Sequence, residues 1–347
     1  MTGRETFERA YPHGAFLDPS DRDALTRYAR DKGFIGAEEK LDAVSHAGEG
    51  NMNLTLRLVT GRRSLILKQA RPWVEKYPSL AAPAGRSRVE QAFYEVASLR
   101  PELAGAMPRL LGSDPSSGVL ALEDLGEAQD FTPLYRQGEL TERELQELVA
   151  FLVALHRPVE NVTPDQRAVL RNREMRALNH EHIFRLPLAK DNGLDLDAYS
   201  PGLHAVADHI KDDARYVEAV AALGRRYLDD GDALVHGDYF PGSWLRTGAG
   251  IRIIDPEFCF LGPAAFDLGV MLGHLCLARQ PATLGDRILE LYLESAPRGG
   301  NQLRRLARGF AGAEIMRRLI GVAQLPLVHD TKARGALLEY SRELALS

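Results

Sequence analysis

Residues 235–258 read VHGDYFPGSWLRTGAGIRIIDPEF. The stretch carries two acids seventeen residues apart, Asp238 on a Gly237 turn and Asp255 at the end of the strand signal IRII at 251–254, with Glu257 two residues on. The TGAG segment at 247–250 supplies a turn, so a short hairpin would bring both acid loops to one edge. Phosphoryl transfer needs this arrangement. One carboxylate orients the attacking hydroxyl and accepts its proton, while others hold the magnesium that neutralises the nucleotide phosphates. Either aspartate alone would read as a turn former beside Gly or Pro. The chemistry lies in the combination.

Toward the N-terminus the strand period dominates. Residues 18–32 predict a short helix. Leu54, Leu56 and Leu58 recur every second residue, the period of a half-buried strand, and TGRR at 60–63 turns the chain into a second strand at 64–69. After a Pro- and Ala-rich loop at 71–85, Val89, Ala92, Phe93, Val96 and Leu99 share one helical face. Residues 118–123 predict another strand. Together these give a small mixed sheet with one helix packed across it. From Thr141 the period becomes helical. TERE at 141–144 is a capping box, and Leu145, Leu148, Val149, Leu152 and Leu155 form one stripe. Asp212 or Asp213 can cap a helix with Val217, Val220, Ala221 and Leu228 facing inward. Further helices fit 303–325 and 336–346, and 251–254 carries the one strand signal of this half. The pattern predicts a β-rich N-terminal lobe, 1–125, joined to a larger helical lobe, 126–347.

Composition narrows the function classes. The 347 residues are 45% hydrophobic and 26% charged, ordinary for a globular chain. A net charge of −5 gives no overall pull toward nucleic acid or an anionic membrane, so any bound anion must be held by a local site. Cys259 and Cys276 are too few for a disulfide framework or a zinc cage, which points to a reducing compartment. No apolar run approaches the roughly 18 residues of a membrane span, and the opening MTGRETFERAYPHG lacks a signal-peptide core. The expectation is a soluble, cytoplasmic enzyme with no nucleic-acid or membrane partner.

The acid motifs resemble those of the aminoglycoside phosphotransferase and choline kinase superfamily, whose members share a bilobal α+β fold with protein kinases. The closer resemblance is to 5-methylthioribose kinases. Their acid loop, His-Gly-Asp-x-x-x-Gly-Ser, is met at 236–243. Their metal loop, Asp-Pro-Glu-Phe-x-Phe-x-Gly-Pro-x-x-Phe-Asp-x-Gly, is met at 255–269. Gly48, Gly50, Asn51 and Asn53 match the nucleotide loop, and Arg317-Arg318 a paired arginine in the last helices. The matches run in order from about residue 44 to 322, most of the chain.

This resemblance implies an ATP- and Mg2+-dependent kinase acting on a sugar-type acceptor, 5-methylthioribose or a related 5-deoxy-pentose. It implies Asp238 as catalytic base, Asp255 as principal magnesium ligand, Glu257 as second acidic ligand and Ser243 as a weaker contributor through water. His236 would tie the acid loop to neighbouring backbone, and Asp267 would receive the amides of that loop. Glycines before strand 54–59 let backbone approach phosphates. Lys68 on the next strand would then contact the α/β-phosphates, with Glu90 as its ion-pair partner, although Glu95 lies on the same helix. Glu123 and Leu125 match the hinge segment that meets adenine through backbone groups. Arg317 and Arg318 would meet the sugar and the transferring phosphate; pointing about 100° apart, at most one is expected to be buried in a site. Trp73 matches a substrate-gating tryptophan. The resemblance is compatible with a homodimer, which no residue specifies.

The chain is shorter than a typical methylthioribose kinase and carries Tyr239-Phe240-Pro241 where those kinases commonly have Leu-His-Thr, next to the base and bordering the acceptor. Two other readings therefore stand beside the first: an antibiotic-inactivating phosphotransferase for an aminoglycoside or nucleoside antibiotic, and an inactive nucleotide-binding module. The arginine pair argues against a cationic acceptor. The joint presence of Lys68, Asp238, Asp255 and Glu257 argues against an inactive module. His180-Glu181-His182 lacks the spacing that sets two ligands on one helical face and is read as a local feature.

Overall fold

A computed structural model describes residues 3–48, 52–136, 138–160, 162–296, 299–325 and 327–347. The chain forms two compact units, one holding residues up to Ala128 together with Pro164–Met175, the other Gln129–Thr163 and Arg176–Ser347.

In the first unit five strands run in the order Leu41–His46, Leu54–Thr60, Ser64–Gln69, Val119–Glu123, Leu110–Asp114. Every pairing is antiparallel, where a mixed sheet was expected. The chain after Gln69 passes through a helix to the outer strand, and a hairpin then returns Val119–Glu123 beside Ser64–Gln69 in the opposite direction. Leu54, Leu56 and Leu58 are buried on one face with Leu65 and Leu67, as their period requires. Two helices cover the sheet rather than one. Arg22–Asp31, capped by Asp21, packs Leu25, Tyr28 and Ala29 on the leucine face. Arg86–Ala97 serves the other face, onto which Lys68 projects because successive side chains alternate. Leu99 falls beyond the end of that helix and is 63% exposed, not part of its apolar stripe. Pro164–Leu170 packs against Arg86–Ala97 and so belongs to this unit, although the chain reaches it from the second.

The second unit is mostly helical. Glu142–Leu155 begins at the capping box: the Thr141 hydroxyl accepts from the Glu144 amide at 3.2 Å, and the Glu144 carboxylate accepts from the Thr141 amide at 2.9 Å. Its leucine stripe is buried. Ala214–Tyr227 is capped by Asp213, but its inward face is Tyr216, Val220, Leu223 and Tyr227. The aromatic residues bury more area than the aliphatic set one position away, and Leu228 is left exposed. The last helices run Gly300–Ile320 and Thr331–Leu346. Ala265–Leu277 is a further helix, packed closely on Gly300–Ile320. Two glycines one turn apart permit the approach: a Cβ on Gly269 would stand 2.4 Å from the Phe310 Cβ, and one on Gly273 2.9 Å from the Glu314 Cβ.

Short strands interrupt the helices. Trp244–Thr247 pairs with Gly250–Ile253 and with Gln129–Asp130. Ala233–Val235 pairs antiparallel with Phe260–Gly262, Val235 opposite Phe260. That last pairing positions the site, since the chain leaving Val235 and the chain entering Phe260 share one end of the ladder. No helix among the described residues is long and apolar enough to cross a membrane.

Candidate active site

The two acid loops lie against each other. His236 Nε2 donates to the Ile254 carbonyl at 2.9 Å, and the Ile254 amide donates to the Ser243 carbonyl at 3.0 Å. Gly237 has φ +83°, and a Cβ there would stand 2.1 Å from the Phe258 carbonyl oxygen, so only glycine lets the loops close. Asp267, fully buried, clamps the turn: its carboxylate accepts from the His236 amide at 2.6 Å and the Gly237 amide at 2.9 Å. His156 Nε2 meets the same carboxylate at 3.0 Å, and its Nδ1 faces the Tyr292 hydroxyl at 3.0 Å. Burial lowers the pKa of His236, so its ring is neutral and braces the loop.

Asp238 emerges from this turn partly exposed. Its Oδ1 accepts from Arg317 Nη2 and from Arg318 Nη2, each at 3.2 Å. Both arginines are buried, each 7% exposed, which corrects the expectation that only one could be. They diverge at the backbone, but Glu314, three and four residues back on Gly300–Ile320, gathers them: its Oε2 accepts from Arg317 Nε and its Oε1 from Arg318 Nε at 2.8 Å. Behind Glu314 stands His274, whose Nε2 lies 2.8 Å from Glu314 Oε1 and whose Nδ1 lies 2.5 Å from the Tyr135 hydroxyl. Burial alone would raise the Glu314 carboxyl, yet the two guanidiniums hold it well below the usual carboxylate range. Burial pushes His274 down to about 4 against the pull of Glu314. Burial lifts the Tyr135 phenol well above its ordinary value. All contacts to the Asp238 carboxylate from described residues go to Oδ1, which leaves Oδ2 as the oxygen for an incoming hydroxyl.

Asp255 adopts a left-handed backbone, φ 61° and ψ 51°, directly before Pro256. For a residue with a Cβ this costs about 1–2 kcal/mol, and such strain gathers at functional sites. The turn exposes its carboxylate and buries Glu257. Among the described residues no three His, Cys, Asp or Glu side chains gather as a metal cage. One exposed carboxylate with a second beside it in sequence is nonetheless the hard-oxygen set that suits Mg2+, which takes its remaining ligands from phosphates and water. Ser243 is a different matter. Its buried hydroxyl donates to the Asp238 carbonyl at 3.0 Å, so it braces the base loop.

In the first unit Lys68 Nζ and Glu90 Oε1 form an ion pair at 2.8 Å, both buried; Glu90 rather than Glu95 is the partner. Asn53 is buried with its Oδ1 accepting from Arg86 Nε at 2.8 Å, while Arg86 also donates to the carbonyls of Met52, Arg71 and Pro83. Gly48 is exposed with φ +72°; Gly50 and Asn51 lie outside the described residues. Glu123 ends its strand with its amide donating to the Arg109 carbonyl at 2.9 Å, and Leu125 follows half-buried.

Two proposed substrate residues are corrected by their packing. Trp73 sits in a buried cluster with Phe7 and Tyr11, its Nε1 donating to Glu75 at 3.2 Å, so it is core rather than a gate. Tyr239 is fully buried, stacked on Phe151 with ring centroids 5.9 Å apart, its hydroxyl donating to the Leu148 carbonyl. It fixes the base loop to Glu142–Leu155. Phe240 is the aromatic that lies on Arg318 and His274, with the guanidinium 5.1 Å from its ring. Glu314, His274, Tyr135 and His156 escaped the sequence reading. The one available signal was an acid three and four residues ahead of adjacent arginines.

Comparisons with known proteins bear on the family and the fold. The sequence model of a phosphotransferase enzyme family matches residues 44–306. A methylthioribose kinase of Exiguobacterium sibiricum is 27% identical over an alignment of 353 positions, gaps included, covering 90% of this chain and 88% of that protein. A crystal structure of a choline kinase from Streptococcus pneumoniae aligns with a TM-score of 0.53 at 10% identity, covering 93% of this chain and 98% of its own. A spectinomycin phosphotransferase crystallised with ADP and spectinomycin aligns with a TM-score of 0.54 at 13% identity, covering 95% and 99%. These two structures share the fold: a β-sheet unit and a helical unit of the protein-kinase-like kind.

Proposed function

The chain belongs to the phosphotransferase enzyme family, an ATP-dependent enzyme with an alcohol as acceptor, and from that premise we propose that it phosphorylates 5-methylthioribose or a related 5-deoxy-pentose. The observation that carries the reading is the arginine pair converging on Asp238 Oδ1. It sets two guanidiniums, balanced by Glu314 and Asp238, beside the base, where their remaining donors suit a sugar hydroxyl and the phosphoryl group it receives.

Asp238 Oδ2 takes the proton of the acceptor hydroxyl as that hydroxyl's oxygen bonds to the γ-phosphorus, while the bond from the γ-phosphorus to the β-phosphate oxygen breaks and its electron pair leaves on ADP. Arg317 and Arg318 keep the carboxylate oriented. Lys68, held by Glu90, would contact the α/β-phosphates, and Gly48, Gly50, Asn51 and Asn53 would line the phosphate loop. Glu123 and Leu125 would present backbone groups to adenine. Asp255 would hold Mg2+ with Glu257 behind it, and the metal when bound neutralises charge on the transferring phosphates. The intact Lys68–Glu90 pair with a positioned Asp238 disfavours an inactive module.

The test is an acceptor panel with purified protein, ATP and magnesium, read as phosphate transferred. Methylthioribose is expected to react with the highest kcat/KM, 5-deoxyribose more weakly, and aminoglycosides and nucleoside antibiotics at background. A faster reaction with any antibiotic contradicts the substrate reading.

A further inference from the structure

We infer that Glu314, backed by His274 and Tyr135, is the positioning group of this active site: it locks both guanidiniums so that they converge on one oxygen of Asp238 and leave the other free. The inference rests on the reading of Asp238 as the base, and its test separates the two.

Two buried guanidiniums would repel each other, and the single, partly exposed carboxylate of Asp238 would not hold both in one geometry. Glu314 accepts one Nε on each of its oxygens. That leaves Nη2 of both to reach Asp238 at 3.2 Å and Nη1 of Arg318 to donate to the Ala323 carbonyl at 3.3 Å. Four charges, two of each sign, balance inside a buried site.

Glu314 is itself fixed from the far side. A carboxylate only accepts, so His274 Nε2 carries the proton and donates to Oε1. The neutral ring then accepts at Nδ1 from the Tyr135 hydroxyl. The chain of donors runs in one direction, Tyr135 to His274 to Glu314, with the arginines as the donors that turn it toward Asp238. Gly273 allows the contact, since a Cβ there would stand 2.9 Å from the Glu314 Cβ and push the two helices apart. Phe240 closes the assembly by lying on both His274 and Arg318.

Four variants test the assignment with ATP and the best acceptor of the panel. Glu314→Gln offers one acceptor oxygen to two guanidiniums and turns its amide donors on others. It is expected to lose at least tenfold in kcat with the KM for ATP within twofold. His274→Gln keeps a donor near the Nε2 position and is expected to stay within about threefold of wild-type kcat, while His274→Leu loses tenfold or more. Asp238→Asn is expected to be inactive. Wild-type kcat in Glu314→Gln, or equal losses in the two His274 variants, overturns the positioning role. Turnover by Asp238→Asn instead overturns the base reading on which it rests. Should Glu314→Gln fail to fold, the split between His274→Gln and His274→Leu decides.

Discussion

Asp238 acquires its setting from residues eighty positions away, and that distance explains which side chains the sequence could and could not disclose. The His-Gly-Asp turn, Asp267 and Lys68 belong to motifs with fixed spacing, and the structure puts Asp267 on the turn amides and Lys68 on Glu90 as expected. Glu314, His274 and Tyr135 belong to no motif; only tertiary packing reveals that they are neighbours. The mistaken expectation about Arg317 and Arg318 came from directions at the Cα. Long side chains converge when an acid one turn back collects their Nε atoms. His274 leaves a measurable trace in stability. Its folded pKa is pushed down to about 4 by burial, whereas the unfolded ring titrates near 6.5. Between those values the unfolded state binds the extra proton, so stability falls as pH drops from about 6.5 toward 4, by on the order of 3 kcal/mol in full. Thermal melts at pH 7 and pH 5 are expected to show a smaller acid-induced fall in His274→Gln than in wild type. An equal fall in both would place the loss elsewhere.

At the scale of elements, long periodic segments were legible and short or uniformly buried ones were not. The leucine strand Leu54–Thr60, the capping box of Glu142–Leu155 and the hairpin at 247–250 follow from period and turn chemistry. Ala265–Leu277 does not, because a helix buried on every side shows no polar face to set its period. Ala233–Val235 and Phe260–Gly262 are three residues each, too short for alternation, yet their pairing brings the acid loops together. The contact between those loops is tightest at Gly237. Gly237→Ala would combine a left-handed backbone with a Cβ 2.1 Å from a carbonyl oxygen. It is expected to cost at least about 2 kcal/mol, seen as a lowered melting temperature, and to reduce kcat as Asp238 shifts. Unchanged melting and turnover would mean that the loops do not need this approach.

For the whole molecule, the division into a sheet unit and a helical unit was visible in the change of period along the chain, and the α+β protein-kinase-like class came from the resemblance of its motifs. The path of the chain was less legible. Pro164–Met175 returns to the first unit after Glu142–Leu155 has entered the second, and no local signal marks such a return. Each unit contributes a buried, charge-balanced cluster: Lys68 with Glu90 in the first, and Asp238 with Arg317, Arg318 and Glu314 in the second. Neither cluster is what a folding core prefers, since buried ion pairs seldom stabilise more than apolar packing would. Phosphate transfer from ATP to methylthioribose by Asp238→Asn, measured beside ATP binding by calorimetry, tests this account most directly. The predicted result is a fall in kcat of at least a thousandfold with nucleotide affinity within a few-fold of wild type; turnover near the wild-type rate would contradict it.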